Sequence, residues 1–303
     1  MKAAITLLHT LLLPDFPSAS AIEYFEGKLY LVGDDATCIL VLDRDYGILN
    51  SIPVIDATSK RIPKKEKPDF EASALIQLDG KHYLMASGSL ATDKRRKILL
   101  VALEEEITAV QSVDYPASFI EQLLAGGINE LNIEGATAVG DRLLLSNRGN
   151  DSFPVNQVIV TSNGFWKSEV PGQLFVLPLT LVTPTPVFTG VSELCYVAAM
   201  DLLLCTLSSE ATTNAYDDGA IGDSYIGWIS SISQKLSGTS LAMEGWLNLS
   251  ASHPVFKTEK IEGICVESVA DNTLQLHLAS DNDGGESRLF KVALSFFPNE
   301  VAV

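Results

Sequence analysis

Four times this chain sets a glutamate at the head of a short strand of small and apolar residues: Phe70-Glu71-Ala72-Ser73, Ile133-Glu134-Gly135-Ala136, Val191-Ser192-Glu193-Leu194 and Ile261-Glu262-Gly263-Ile264. A second apolar stretch follows each one and ends in a polar cluster. These clusters are Ser87-Gly88-Ser89, Ser146-Asn147-Arg148-Gly149-Asn150, Ser208-Ser209-Glu210 and Ser280-Asp281-Asn282-Asp283. A weaker fifth copy comes first, with Ser18-Ala19-Ser20-Ala21-Ile22 aligned on Glu71-Ala72-Ser73-Ala74-Leu75, so that Ser18 stands in for the glutamate. Self-similarity on this scale is how a radial array of sheets is written into a chain.

The glutamates lie 63, 59 and 69 residues apart, and Ser18 lies 53 before the first. Each interval holds about one four-stranded sheet. Proline, glycine and aspartate punctuate the strands, and helical periodicity is convincing only over residues 117–124, before Gly126-Gly127. The expected fold is all-β: a single-domain β-propeller over residues 1–303, of five blades with four strands each. Six blades remain the alternative if residues 104–131 or 150–190 hide a degenerate one.

The last repeat is short of a strand. After residues 262–267, 274–279 and 288–296, only a few polar positions remain. Residues 4–12 are apolar, strand-like and without a blade of their own. Pairing them beside 288–296 would close the ring and cover an exposed sheet edge.

Charge narrows the partners. With 38 acidic against 21 basic residues the formal charge is −17, which disfavours binding to a phosphate backbone by counterion release. Cations and neutral ligands suit this chain better, and no nucleic-acid partner is expected. No apolar run reaches the roughly 18 residues of a membrane span. The start of the chain imitates a secretory leader, but its role in closing the ring favours a cytoplasmic protein over an exported one. The four cysteines, without CxxC spacing and within apolar segments, read as buried thiols. Four histidines without HxH or HExxH spacing give a zinc site little support, and His82 and His277 fall inside second strands, where packing is their expected role.

Because successive strands of a blade are antiparallel, an inner strand starts on the face where the second strand ends. The repeated glutamates and the polar clusters therefore converge on one mouth of the central channel. Two roles compete for the glutamates. Each can lock its blade by accepting hydrogen bonds from a neighbouring backbone, or several together can hold a cation, since gathered carboxylates repel unless protonated, paired or metal-bound. Calcium, which takes six to eight oxygen ligands, suits Glu, Asp and Asn. Arg148 and the basic run Lys94-Arg95-Arg96-Lys97 break the symmetry and can hold a phosphate or carboxylate. The stretch from Ser280 to Arg288 is dense in oxygen ligands, although Asp-Asn-Asp-Gly is also ordinary turn chemistry. A long insertion containing Tyr216, Asp217, Asp218 and Asp223 reads as a lid over the mouth.

The pairing of Ile133-Glu134-Gly135-Ala136 with Leu145-Ser146-Asn147-Arg148-Gly149, and of Lys260-Ile261-Glu262-Gly263 with Leu278-Ala279-Ser280-Asp281, resembles phytase-like and esterase-like propellers. Similar glutamate-glycine starts occur in calcium-dependent lactonase propellers. The resemblance implies a channel mouth that bears calcium. On that reading Glu134, Glu262 and Asp281 ligate the metal, Asn147, Arg95, Arg96 and Asp283 contact the ligand, and Glu71, Glu193 and Arg148 serve the hydrolysis of a small ester, lactone or phosphoester. The chain departs from a serine-hydrolase pattern, having no GxSxG elbow, and non-catalytic binding of a carbohydrate, peptide or protein is the alternative.

Overall fold

Apolar runs too continuous for a half-exposed sheet are the first thing the fold explains. Leu143, Leu144 and Leu145 are all fully buried, because each sheet is covered on both faces by its neighbours and side chains of either parity enter a core. The structure is a computed structural model describing residues 1–55, 61–104, 110–168, 172–181, 188–210, 214, 221–281 and 285–298. Its strands form five antiparallel sheets, the blades of a five-bladed β-propeller.

From axis to rim the first blade comprises Ala19–Phe25, Lys28–Gly33, Cys38–Asp43 and Ile48–Pro53. Phe70–Leu78, Lys81–Gly88, Lys97–Ala102 and Val110–Asp114 make the second, and Ile133–Val139, Arg142–Asn147, Asn156–Ser162 and Phe175–Thr180 the third, which gains the short parallel strand Leu241–Ala242. The fourth holds Thr189–Val197, Leu202–Glu210, Ile221–Ser230 and Gly245–Asn248. Lys260–Ala270, Thr273–Asp281 and Ser287–Phe297 supply three strands of the fifth. The five inner strands pack each against the next, and the last against the first.

Five apolar cores follow from this geometry, one between each pair of adjacent blades. Ile22, Leu29 and Leu31 meet Cys265, Ala279 and Leu289 between the first and last blades, whereas Leu204, Ile226 and Trp228 meet Leu276, Phe290 and Val292 between the fourth and fifth. Fully burying one such aliphatic side chain stabilises the fold by about 1.5–3 kcal/mol. The helix Ala117–Ala125 follows Pro116, buries Phe119, Ile120 and Leu123 against the second and third blades, and stops at Gly126-Gly127, with Gly127 at φ 95°. Its end lies beside the third blade's mouth loop.

The N-terminal segment closes the ring as expected. Lys2–Leu13 pairs antiparallel with Ser287–Phe297, from Lys2 opposite Phe297 to Leu13 opposite Ser287. Ala3, Ile5 and Leu7 add to the core between the fourth and fifth blades. All four cysteines are free thiols. His277 is buried between the first and last blades, with Nδ1 3.0 Å from the Tyr46 hydroxyl and Nε2 2.9 Å from Glu267. His82, by contrast, is exposed against the Phe25 ring, since its strand begins at the far rim of the channel.

Deleting residues 1–13 uncovers both the edge of Ser287–Phe297 and the apolar face beneath it. The truncated chain should lose its cooperative thermal transition and aggregate, as followed by circular dichroism and size-exclusion chromatography. A monomer with the wild-type midpoint would mean that the closing strand is dispensable.

Candidate functional site at the channel mouth

Every inner strand carries an irregularity near its start. Pairing skips Ser20 in the first blade, Glu71 in the second, Glu134 in the third and Glu262 in the fifth. A bulge leaves its extra residue out of the ladder and re-aims the side chain. The first repeat is thereby corrected: Ala19 pairs with Gly33 as Phe70 pairs with Gly88, so Ser20 and not Ser18 matches Glu71.

The fourth blade needs a similar shift. Val191 pairs with Leu207 and Leu194 with Cys205, leaving Ser192 and Glu193 opposite Thr206. Ser192 faces the mouth, where its hydroxyl accepts from Arg148 Nη1 at 3.1 Å. Glu193 turns into the wall between the third and fourth blades, 1% exposed, and its Oε1 accepts from the backbone of Ala136 at 2.7 Å and of Leu194 at 3.0 Å. Of the four repeated glutamates, only Glu193 has the locking role. A Cβ on Gly135 would lie 2.3 Å from the Ser192 carbonyl oxygen, so the strands that hold Glu134 and Ser192 approach through bare backbone.

Glu71, Glu134 and Glu262 converge, and a carboxylate oxygen of each lies within 4.8 Å of the other two. Arg148 Nη1 stands 3.4 Å from Glu134, and its Nη2 donates to the Ser208 hydroxyl at 3.0 Å. Lys260 pairs with Glu262 at 2.9 Å, and Asn132 Nδ2 donates to Glu134 at 2.6 Å. Glu71 has no ion pair or hydrogen bond of its own among the described residues. Burial pushes its carboxyl well above the usual range, reinforced by Asp69, Asp34, Glu134 and Glu262. Burial also raises Glu262 to about 8, against the pull of Lys260 and with the help of Asp281 and Glu134.

Glu71 belongs to a second triad with Asp34 and Asp69. Here a positive charge is built in: Lys67 Nζ pairs with Asp34 and, at 2.8 Å, with Asp69, while Arg95 Nη1 pairs with Asp69 at 2.6 Å. Burial still lifts Asp34 to about 7.

The remaining expected site residues fall as follows. Arg95 is buried at the mouth, but Arg96 lies outside it, paired with Asp93 at 2.5 Å. Asp281 is buried, and its charge acts on Glu262 and Arg61. Asn147 accepts from the Asn132 backbone at 2.8 Å and so holds the loop that leads into the strand carrying Glu134. Asp283 and most of the proposed lid lie outside the described residues. Asp34, Lys67, Asp69, Ser192 and Lys260 were not expected at the site. Asp34 was within reach, because it ends the second strand of the weak first repeat where Arg148 and Asp281 end theirs, whereas Lys67 and Asp69 come from a linker without periodicity.

The model of a family of unknown function, DUF6929, matches residues 15–294. The chain belongs to this family. The DUF6929 match contains every mouth residue named above. No curated protein matches the sequence. Among solved structures, the chain is similar to a glutaminyl cyclase of Myxococcus xanthus, at 10% identity with a TM-score of 0.55 over 98% of each chain. A tail fibre of a Staphylococcus aureus phage is similar at 13% identity and a TM-score of 0.53, over 96% of this chain and 52% of the fibre, so this chain spans about half the fibre's length. At such identities the likeness is one of fold, and a shared fold carries no activity with it. No helix among the described residues is long and apolar enough to cross a membrane.

The pH dependence of the cation-free protein follows from the signs of these shifts. Between an unfolded carboxyl value near 4 and the raised native ones, the native state binds more protons than the unfolded chain, so stability falls as pH rises. His277 acts oppositely: burial lowers it to about 4, so its contribution grows as pH rises towards an unfolded value of about 6.5 and is then constant. The window from pH 6.5 to 8 thus excludes His277 and reads the raised carboxyls together, Asp34, Glu71 and Glu262 at the mouth with the buried Glu23 and Glu193. With chelator present, the melting temperature should fall across this window; a flat or rising curve would contradict the repulsive cluster. Glu193→Ala, which strips two backbone donors of their acceptor, should lower stability by about 2–4 kcal/mol equally with calcium and with chelator in denaturant titrations.

Proposed function

We propose that this DUF6929 protein binds a hard divalent cation, calcium in the first instance, at the axial mouth through Glu71, Glu134 and Glu262, and holds an oxygen-rich small ligand there. The observation that carries this reading is the convergence of three carboxylates from three blades within 4.8 Å. Calcium–oxygen distances of about 2.3–2.6 Å put two ligands of one ion no more than about 5 Å apart, and the donor set is all oxygen. The neighbouring triad gives an internal comparison. Asp34 and Asp69 pair directly with Lys67, whereas Glu71 feels the Lys67 charge but makes no ion pair of its own among the described residues.

Three side chains leave most of a calcium coordination shell to other oxygens, which is where a ligand's carbonyl or phosphoryl oxygen enters. A bound calcium ion would supply Lewis acidity at that oxygen. Arg148, already donating to Glu134, Ser192 and Ser208, is placed to share its charge with an anionic ligand or a developing oxyanion. Hydrolysis of a small ester, lactone or phosphoester is the reaction this arrangement suits, consistent with the resemblance to phytase-like and esterase-like propellers. Glu193 takes no part in it, being turned into the wall.

Isothermal calorimetry with calcium should show one ion per chain in the wild type and none in Glu71→Gln. Saturating calcium should raise the wild-type melting temperature, since a ligand at 100 times its Kd stabilises by about 2.7 kcal/mol. With chelator, Glu71→Gln should melt above the wild type, because it removes a repelled carboxylate. Absence of binding heat together with an unchanged wild-type midpoint in millimolar calcium would overturn the proposal. A variant that is destabilised in chelator would overturn the assignment of Glu71.

A further inference from the structure

Beside the mouth, a cavity of about 410 Å³ opens between the end of the helix Ala117–Ala125 and the loop after the third blade's second strand. Its volume lies in the range of small-molecule sites. Arg148 lines it on the mouth side, so the cavity and the carboxylate cluster share a wall.

The two remaining walls differ in chemistry. One is apolar and contains Phe153 and Val155, which are 43% and 48% exposed although they flank a concave surface. Exposed apolar groups gathered at a concavity mark a contact surface. The other wall holds the amides of Asn147, Asn150 and Gln157, all buried. These amides are fixed before any ligand arrives. Asn147 Nδ2 donates to Gln157 Oε1 at 3.2 Å, Asn150 Nδ2 donates to Glu130 Oε2 at 2.5 Å, and Asn150 Oδ1 accepts from the backbones of Ser152 and Phe153 at 2.9 and 3.0 Å. Each amide nitrogen has two hydrogens and each carbonyl oxygen two lone pairs, so the nitrogen of Asn150 and the oxygen of Gln157 keep capacity for a further bond.

A rigid wall offering donors and acceptors side by side matches hydroxyl groups, which act as both. The apolar part of the lining, Phe153 and Val155, matches a ring whose other surface is C–H. Charge gives an anion no preference in this cavity, since its lining sets one carboxylate, Glu130, against one guanidinium, Arg148. We infer that this cavity is a carbohydrate subsite, taking a neutral sugar ring between Phe153 and the amides of Asn150 and Gln157. The inference deepens the reading of the mouth as a ligand site, but the contacts themselves do not involve the cation.

Maltose, cellobiose and lactose at about 10 mM are suitable probes, since a millimolar Kd is only about 4 kcal/mol of binding. Saturation-transfer NMR should give a signal for at least one of them. Phe153→Ala removes an exposed ring and should weaken that binding about two- to ten-fold without shifting the melting temperature, as an aromatic contact is worth about 0.5–1.5 kcal/mol. Val155→Trp should block it by filling the cavity. Glu71→Gln should retain it, so that loss of the cation site and loss of the sugar site are told apart. No signal from any of the three sugars, a signal unchanged in both cavity variants, or a response only to N-acetylglutamine amide would overturn the inference, the last in favour of a peptide ligand.

Discussion

Five inner strands meeting at one axis leave space at the mouth for about one side chain from each, and the bulge in every inner strand decides which residue that is. The bulged residues are Ser20, Glu71, Glu134 and Glu262, with Ser192 in the same role in the fourth blade. Two serines and three glutamates therefore share the opening. The small serine of the fourth blade lets Arg148 reach across from the third to Ser192 and Ser208, while the Ser20 hydroxyl of the first donates to the Phe70 carbonyl of the second. Gly190 keeps that path open, since a Cβ there would sit 2.3 Å from Arg148 Nε.

The energetic consequence is local frustration held by a rigid ring. The locks between neighbouring inner strands are neutral hydroxyl bonds, such as Ser146 to the Ser192 carbonyl at 2.8 Å and Thr206 to the Glu262 carbonyl at 2.9 Å, together with the apolar cores between blades. These contacts hold like charges at a separation that free carboxylates would avoid. Lys67, Arg95, Arg148 and Lys260 offset part of the repulsion. The strain is concentrated on Glu71, which receives the field of four carboxylates. Residues that destabilise their own site in this way are those on which a ligand has most effect.

Much of the architecture was legible because burial on both faces writes continuous apolar runs, and because the orphan strand at residues 4–12 had one sheet edge to join. Register was harder to read. Glu193 follows its strand's first residues as Glu71 does, but the ladder places Ser192 at the mouth and turns Glu193 into the wall, and a one-residue shift exchanges the two faces of a strand. Ser18 was misaligned by two residues, a shift that keeps the face of the strand and so leaves no trace in the apolar alternation. Arg148 and Asn147 were legible because they end a second strand. Lys67 and Asp69 were not, since their position depends on how a linker folds back over the mouth and no periodicity records that.

The central claim is that Glu71, Glu134 and Glu262 form one coordination site on the propeller axis. Its most direct test is the anomalous difference map of crystals grown with calcium and collected at long wavelength. The account predicts a single peak at the mouth about 2.3–2.6 Å from an oxygen of each of the three glutamates. A well-ordered mouth with no peak, or with Arg148 or Lys260 seated between the three carboxylates in its place, would contradict it.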